Sequence, residues 1–208
     1  MRTIGVKGAV SSCAVDAVSG DLAVFFYPSA GGEALLIYPK AKGHPKQYLF
    51  PHSFQLVSCT YDDNGNVFVN RVDPKVSKET KSLLSELPKG RSNFVDITLP
   101  NTITQVFNAP GVIRWDGKNL ALGNGEGSIY RMTVFGTKAK IVGVTRLDGS
   151  FDVASFWIHD STLAGANTQS SSVMIWNYPK GGEPSKVINN VESGDIVTIS
   201  VAQSLLSS

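Results

Sequence analysis

The chain has 208 residues, 42% of them hydrophobic and 17% charged, with a formal net charge of +2. That length can bury one full core as a single domain, 1–208, and the charge is too small to argue for nucleic acid or an anionic membrane. No stretch approaches the roughly 20 apolar residues of a membrane-spanning helix. The N-terminal MRTIGVKGAVSSCAVDAV has no continuous apolar segment of the signal-peptide kind, which leaves the compartment open.

Taken in chain order, alternation and turn chemistry predict four strands in each of four units. The first unit, about 8–52, carries strands near 9–15, 21–27, 34–40 and 46–50. The second, about 53–100, carries strands near 54–61, 66–72, 82–87 and 94–99. The third, about 101–149, has them near 106–115, 119–124, 128–134 and 139–147. The fourth, about 150–191, has them near 151–158, 161–167, 172–178 and 185–191.

One phrase recurs in every unit: an apolar strand, an Asp, a Gly/Asn turn and a second apolar strand. It reads CAVDAVSGDLAVFF, CTYDDNGNVFVN, IRWDGKNLALGN and FWIHDSTLAGAN, with Asp16, Asp62, Asp116 and Asp160 spaced 46, 54 and 44 residues apart. A carboxylate opening such a turn accepts backbone N–H bonds and locks it. A second phrase, with Pro-Lys ending the third strand, follows Tyr38, Leu87 and Tyr178, which read as blade-packing residues. The third unit replaces it with Val134-Phe135-Gly136.

A period of roughly 40–50 residues with several short strands is the signature of a β-propeller built from four-stranded antiparallel blades. The ends read as half a blade, 1–7 as an outermost strand and 192–203 as an innermost one. The expectation is the C-terminal part of a longer propeller, whose open blade edges offer a route to self-association.

SCAVDAVSGDLAV, CTYDDNGNVFV, LPKGRSNFVDITL, GVIRWDGKNLALGN and VMIWNYPKGG together resemble a group of bacterial NHL-like propeller proteins, from Thr3 to about Gln203. The resemblance implies a longer parent with further blades and, for many members, secretion; it brings no catalytic residue. More distantly, the D-x-x-G-N turn is similar to turns of the gluconolactonase/SMP-30 group.

Propellers work where the innermost strands converge, so function must be argued from that site. At the strand exits stand Arg114, Trp115, Trp157 and His159, candidates for binding a protein, peptide or glycan. Adjacent His159 and Asp160 on one strand would face opposite ways and make no dyad. Trp115 and Trp157, ending equivalent strands, read first as blade-to-blade packing with paired indole N–H groups. The charged insertion Asn70–Lys81 reads first as a solvated excursion.

A lactonase-type calcium site needs roughly 6–8 converging oxygen ligands. Only Asn108, Asp152 and Asp195 are placed to contribute. Cys13 and Cys59, at one position in consecutive units, read as two buried reduced thiols, with a disulfide as the alternative. The sequence therefore supports a non-enzymatic binding scaffold without a cofactor; the alternative is a calcium-assisted lactonase-like hydrolase.

Overall fold

The computed structural model of the chain describes residues 4–5, 8–28, 33–50, 55–72, 82–103, 111–149, 153–167 and 170–189. They form sixteen strands in four antiparallel sheets of four, each sheet built from consecutive strands. Blade 1 holds β1 (Gly8–Val15), β2 (Leu22–Pro28), β3 (Glu33–Tyr38) and β4 (Lys46–Phe50). Blade 2 holds β5 (Gln55–Tyr61), β6 (Val67–Val72), β7 (Ser82–Leu87) and β8 (Val95–Ile97). Blade 3 holds β9 (Ile113–Trp115), β10 (Leu120–Gly123), β11 (Ser128–Phe135) and β12 (Lys138–Arg146). Blade 4 holds β13 (Val153–His159), β14 (Thr162–Asn167), β15 (Ser172–Asn177) and β16 (Lys186–Ile188). The all-β propeller class read from the repeats is the architecture observed. The half-blade segments at the ends lie outside the described residues, except Ile4 and Gly5.

The middle strands explain why the blades stack. In β2, LAVFFYP, successive side chains point to opposite faces, and both faces are apolar. Ala23 and Phe25 pack with Leu35 against Cys59, Tyr61, Val67, Val69 and Leu87 of blade 2. Val24 and Phe26 pack on the other face with Leu36 and Tyr38. Blade 2 repeats the arrangement, turning Phe68, Leu84 and Ile97 onto Ile113, Leu120, Leu122 and Met132 of blade 3. Ala121 and Ile129 of blade 3 then meet Phe156, Leu163, Trp176 and Tyr178 of blade 4. Three of these clusters of described residues thus sit at the junctions between blades.

Polar bonds join the innermost strands across those junctions. An innermost strand has one edge without a ladder partner in its own sheet, and its buried N–H groups need acceptors. Hydroxyls of the preceding blade supply them: Ser58 Oγ accepts from the Ile113 amide at 2.7 Å and Thr60 Oγ1 from the Trp115 amide at 3.1 Å. Ser12 Oγ accepts from the Cys59 amide at 3.4 Å. Ser12 and Ser58 each directly follow a break in strand register, a local kink of the bulge type. Ser155 follows the same break in β13 and is buried without a hydrogen-bond partner among the described residues.

The two cysteines depart from expectation. Both are free, and only Cys59 is buried; Cys13 is exposed on β1. The corresponding strand in the other blades is covered, whereas much of β1 faces solvent. Burial pushes the Cys59 thiol up to about 12, with the Arg114 charge pulling against the shift. A thiolate is the reactive species, so Cys59 is withheld from reagents both by its burial and by its raised pKa.

Two outcomes test this packing. Phe156 is fully buried in the blade 3–blade 4 core; Phe156→Ala is expected to cost about 3–5 kcal/mol of unfolding free energy in a urea titration. Thiol titration of the native chain with an aromatic disulfide reagent is expected to modify Cys13 alone, and both cysteines once the chain is unfolded.

Candidate functional site

The first hairpin of each blade places the residues singled out by sequence at one end of the innermost strands. Asp62 Oδ1 accepts from the amides of Asn64 at 3.0 Å and Asn66 at 2.8 Å. Asp116 Oδ1 likewise accepts from Lys118 at 2.9 Å and Asn119 at 2.6 Å. Asp16 Oδ1 accepts from the Val18 amide at 3.0 Å, and its Oδ2 from the Ser19 hydroxyl at 2.6 Å. Burial alone would raise the Asp16 carboxyl, but the bonds from Ser19 and Val18 and the Lys89 charge outweigh it and hold it below its usual value. These three aspartates lock their turns as the motif predicts.

Asp160 does not. His159 pairs directly with Thr162, so the turn holds only Asp160 and Ser161, with Asp160 at φ 49. Two-residue hairpins favour positive φ in the turn, and the Asp160 side chain is left 85% exposed. The short turn also overturns the expectation for His159 and Asp160. Because Asp160 is off the strand, its Oδ2 lies 3.3 Å from His159 Nε2, in an exposed contact.

The tryptophans face differently because the Asp stands one residue later in the fourth hairpin: Asp116 directly follows Trp115, whereas His159 takes that place in blade 4. Leu120 pairs with Trp115 and Met132, and its counterpart Leu163 pairs with Ile158 and Trp176. Ile158, not Trp157, therefore stands in the place of Trp115. Trp115 packs toward blade 2, and Trp157 falls on the alternate face of β13, stacked on His159 with centroids 5.4 Å apart and planes at 25°. Trp176 donates its indole N–H to the Asp148 carbonyl at 3.3 Å. The pairing expected of Trp115 fails, its Nε1 being buried with no acceptor among the described residues. Arg114 ties two innermost strands together, donating from Nε to the Phe156 carbonyl at 3.1 Å and from Nη1 to that of Ile113 at 3.0 Å. Its guanidinium is thus committed to backbone oxygens.

The junctions differ at this end. Between blades 3 and 4, the Tyr178 hydroxyl donates to Asp116 Oδ2 at 2.6 Å; burial first, then this bond, pushes the phenol above its ordinary value. Between blades 1 and 2 lies a cavity of about 240 Å³ lined by Asp16, Tyr61, Leu87 and Lys89 among others. Between blades 2 and 3 a cavity of about 440 Å³ opens, lined by Asp62, Phe68, Glu86, Trp115, Met132 and Val134 among others. Burial, and then the Asp62 charge, push the Glu86 carboxyl above its usual range.

Asn108, Asp152 and Asp195, the calcium candidates, lie outside the described residues, as do residues 73–81 of the charged insertion. Among the described residues no group of three His, Cys, Asp or Glu side chains could hold a metal ion. No helix among them is long and apolar enough to cross a membrane. Sequence reasoning missed the Ser58 and Thr60 acceptors and the cavity beside Asp62. The departure of Val134-Phe135-Gly136 from the Tyr-Pro-Lys phrase was the available signal for the cavity.

No protein-family model matches the chain, and no curated protein sequence matches it. Solved structures do. YCF48 bound to D1 peptide is similar at TM-score 0.58 and 11% identity, over 94% of this chain and 58% of that one. A chain of the nidogen/laminin complex is similar at 0.61 and 13%, over 89% and 66%. YjhT is similar at 0.61 and 10%, over 91% and 67%. The chain spans 58%, 66% and 49% of the first three structures it matches. At these identities the likeness is one of fold: the chain is a β-propeller.

Proposed function

We propose that the chain is a non-enzymatic scaffold that binds a protein or peptide at the hairpin-turn end of its innermost strands. One observation carries the reading: Trp157 and His159 form a stacked aromatic pair with the His159 side chain 47% exposed. A rigid, partly exposed aromatic platform is the kind of anchor that dominates protein interfaces, because it offers large contact area at little cost in side-chain freedom. The stack stands on a strand fixed by the Phe156 core, so its orientation is set before a partner arrives. Similar structures in complexes, YCF48 with D1 peptide and a chain of the nidogen/laminin complex, support a recognition role.

Selection of a displayed random-peptide library on the immobilised chain tests the reading. Enriched peptides are expected to lose affinity on Trp157→Ala by about 2 kcal/mol, roughly thirtyfold, with a smaller loss on His159→Ala. Failure to enrich any peptide, or peptides that bind both variants as they bind the parent, would contradict it. Capture of oligosaccharides in place of peptides would move the ligand class to glycans.

A further inference from the structure

The turn aspartates differ in one respect that their sequence motif hides. Asp16 Oδ2 takes a hydroxyl donor, Ser19, at 2.6 Å, and Asp116 Oδ2 takes another, Tyr178, at 2.6 Å. Asp62 Oδ2 takes only side-chain amides of its own turn, Asn66 Nδ2 at 2.9 Å and Asn64 Nδ2 at 3.4 Å. The long Asn64 contact matches the 3.5 Å contact that Asn119 Nδ2 makes with Asp116 Oδ2 beside the Tyr178 bond. Asp62 is buried, and its four acceptor contacts all come from its own turn, so a hydroxyl that reached Oδ2 would take the place of the long Asn64 contact.

The ladder pairings locate the counterpart of Tyr178. Met132 and Trp176 occupy one position in blades 3 and 4, as the partners of Leu120 and Leu163. Two residues on, and on the same face, stand Val134 and Tyr178. The Tyr178 phenol closes the junction between blades 3 and 4; Val134 is too short to do so between blades 2 and 3, where the 440 Å³ cavity lies. Phe68, Leu120 and Met132 give that cavity buried apolar walls. Asn64, Lys118 and Phe135 stand exposed around it, with Phe135 at 70%.

We propose that this cavity binds a tyrosine side chain presented by a partner peptide, its hydroxyl donating to Asp62 as Tyr178 donates to Asp116. The proposal rests on the scaffold reading and names one contact of it. The aromatic ring covers apolar walls that an aliphatic alcohol would leave uncovered. Phenylalanine would fill the space without the hydroxyl, and an anion would meet Asp62 and Glu86. The Trp115 indole N–H, buried with no acceptor among the described residues, gains one in the phenol oxygen or a peptide carbonyl.

The test is a titration of the nitrogen-15-labelled chain with N-acetyl-tyrosinamide and, separately, N-acetyl-phenylalaninamide, following the Trp115 indole resonance. Trp115→Phe assigns that resonance. Saturable movement is expected with the tyrosine probe, about tenfold tighter than with phenylalanine, the worth of one hydrogen bond to a charged group. Val134→Tyr, which supplies the phenol from within, is expected to abolish the response while the other indole resonances keep their native positions. An unmoved Trp115 resonance, equal affinity for the two probes, or an undiminished response in a folded Val134→Tyr chain would overturn the proposal. If peptides selected through Trp157 persist in that case, this cavity fails and the scaffold reading stands. A positive titration with no selectable peptide failing on Trp157→Ala would do the reverse.

Discussion

A hairpin-turn carboxylate has two oxygens, one held by the backbone of its own turn, and the donor on the other distinguishes one blade junction from the next. Backbone amides occupy Oδ1 of Asp16, Asp62 and Asp116, fixing each turn. Oδ2 is where they differ: Tyr178 reaches Asp116 from the neighbouring blade, Ser19 serves Asp16 from within its own hairpin, and the Asn66 and Asn64 amides serve Asp62 from its own turn. A single repeated motif thus yields three different junctions, and the differences lie in the residues that approach it.

The rest of the propeller follows from blades that bury their faces against one another. A sheet four strands wide cannot bury either face by itself, so Phe25, Phe68 and Phe156 are buried where a neighbouring blade packs on them. The same dependence extends to polar groups. The amides of Ile113 and Trp115 have no ladder partner on their outer side and rely on Ser58 and Thr60. Apolar burial drives the blades together without direction; these hydroxyls and the turn carboxylates add the direction that fixes their register.

Much of this was legible in the sequence because period-two apolar strands and Gly/Asn turns are local signals. The four-unit division and the locking by Asp16, Asp62 and Asp116 needed no tertiary information. The fourth unit was misread for a local reason as well. Its phrase FWIHDSTLAGAN looks like the others, but its Asp stands one residue later, with His159 in the place that Asp116 holds in blade 3. A shift of one residue moves every side chain to the opposite face, which is why Trp157 does not match Trp115. The exposure of Cys13 and the acceptor roles of Ser58 and Thr60 were not legible, since both depend on which blade faces which strand. The cavity lay between these cases. The loss of the Tyr-Pro-Lys phrase in the third unit was visible, yet its consequence emerges only when Val134 is set beside Tyr178 across two junctions.

The junction carboxylate is tested most directly by a double-mutant cycle on Asp116 and Tyr178, using Asp116→Asn, Tyr178→Phe and the pair, with unfolding free energies from denaturant titration. The account predicts a coupling of about 1–3 kcal/mol, as expected for residues sharing one charged hydrogen bond. Additivity within about 0.5 kcal/mol would contradict it and reduce the junctions to apolar packing alone.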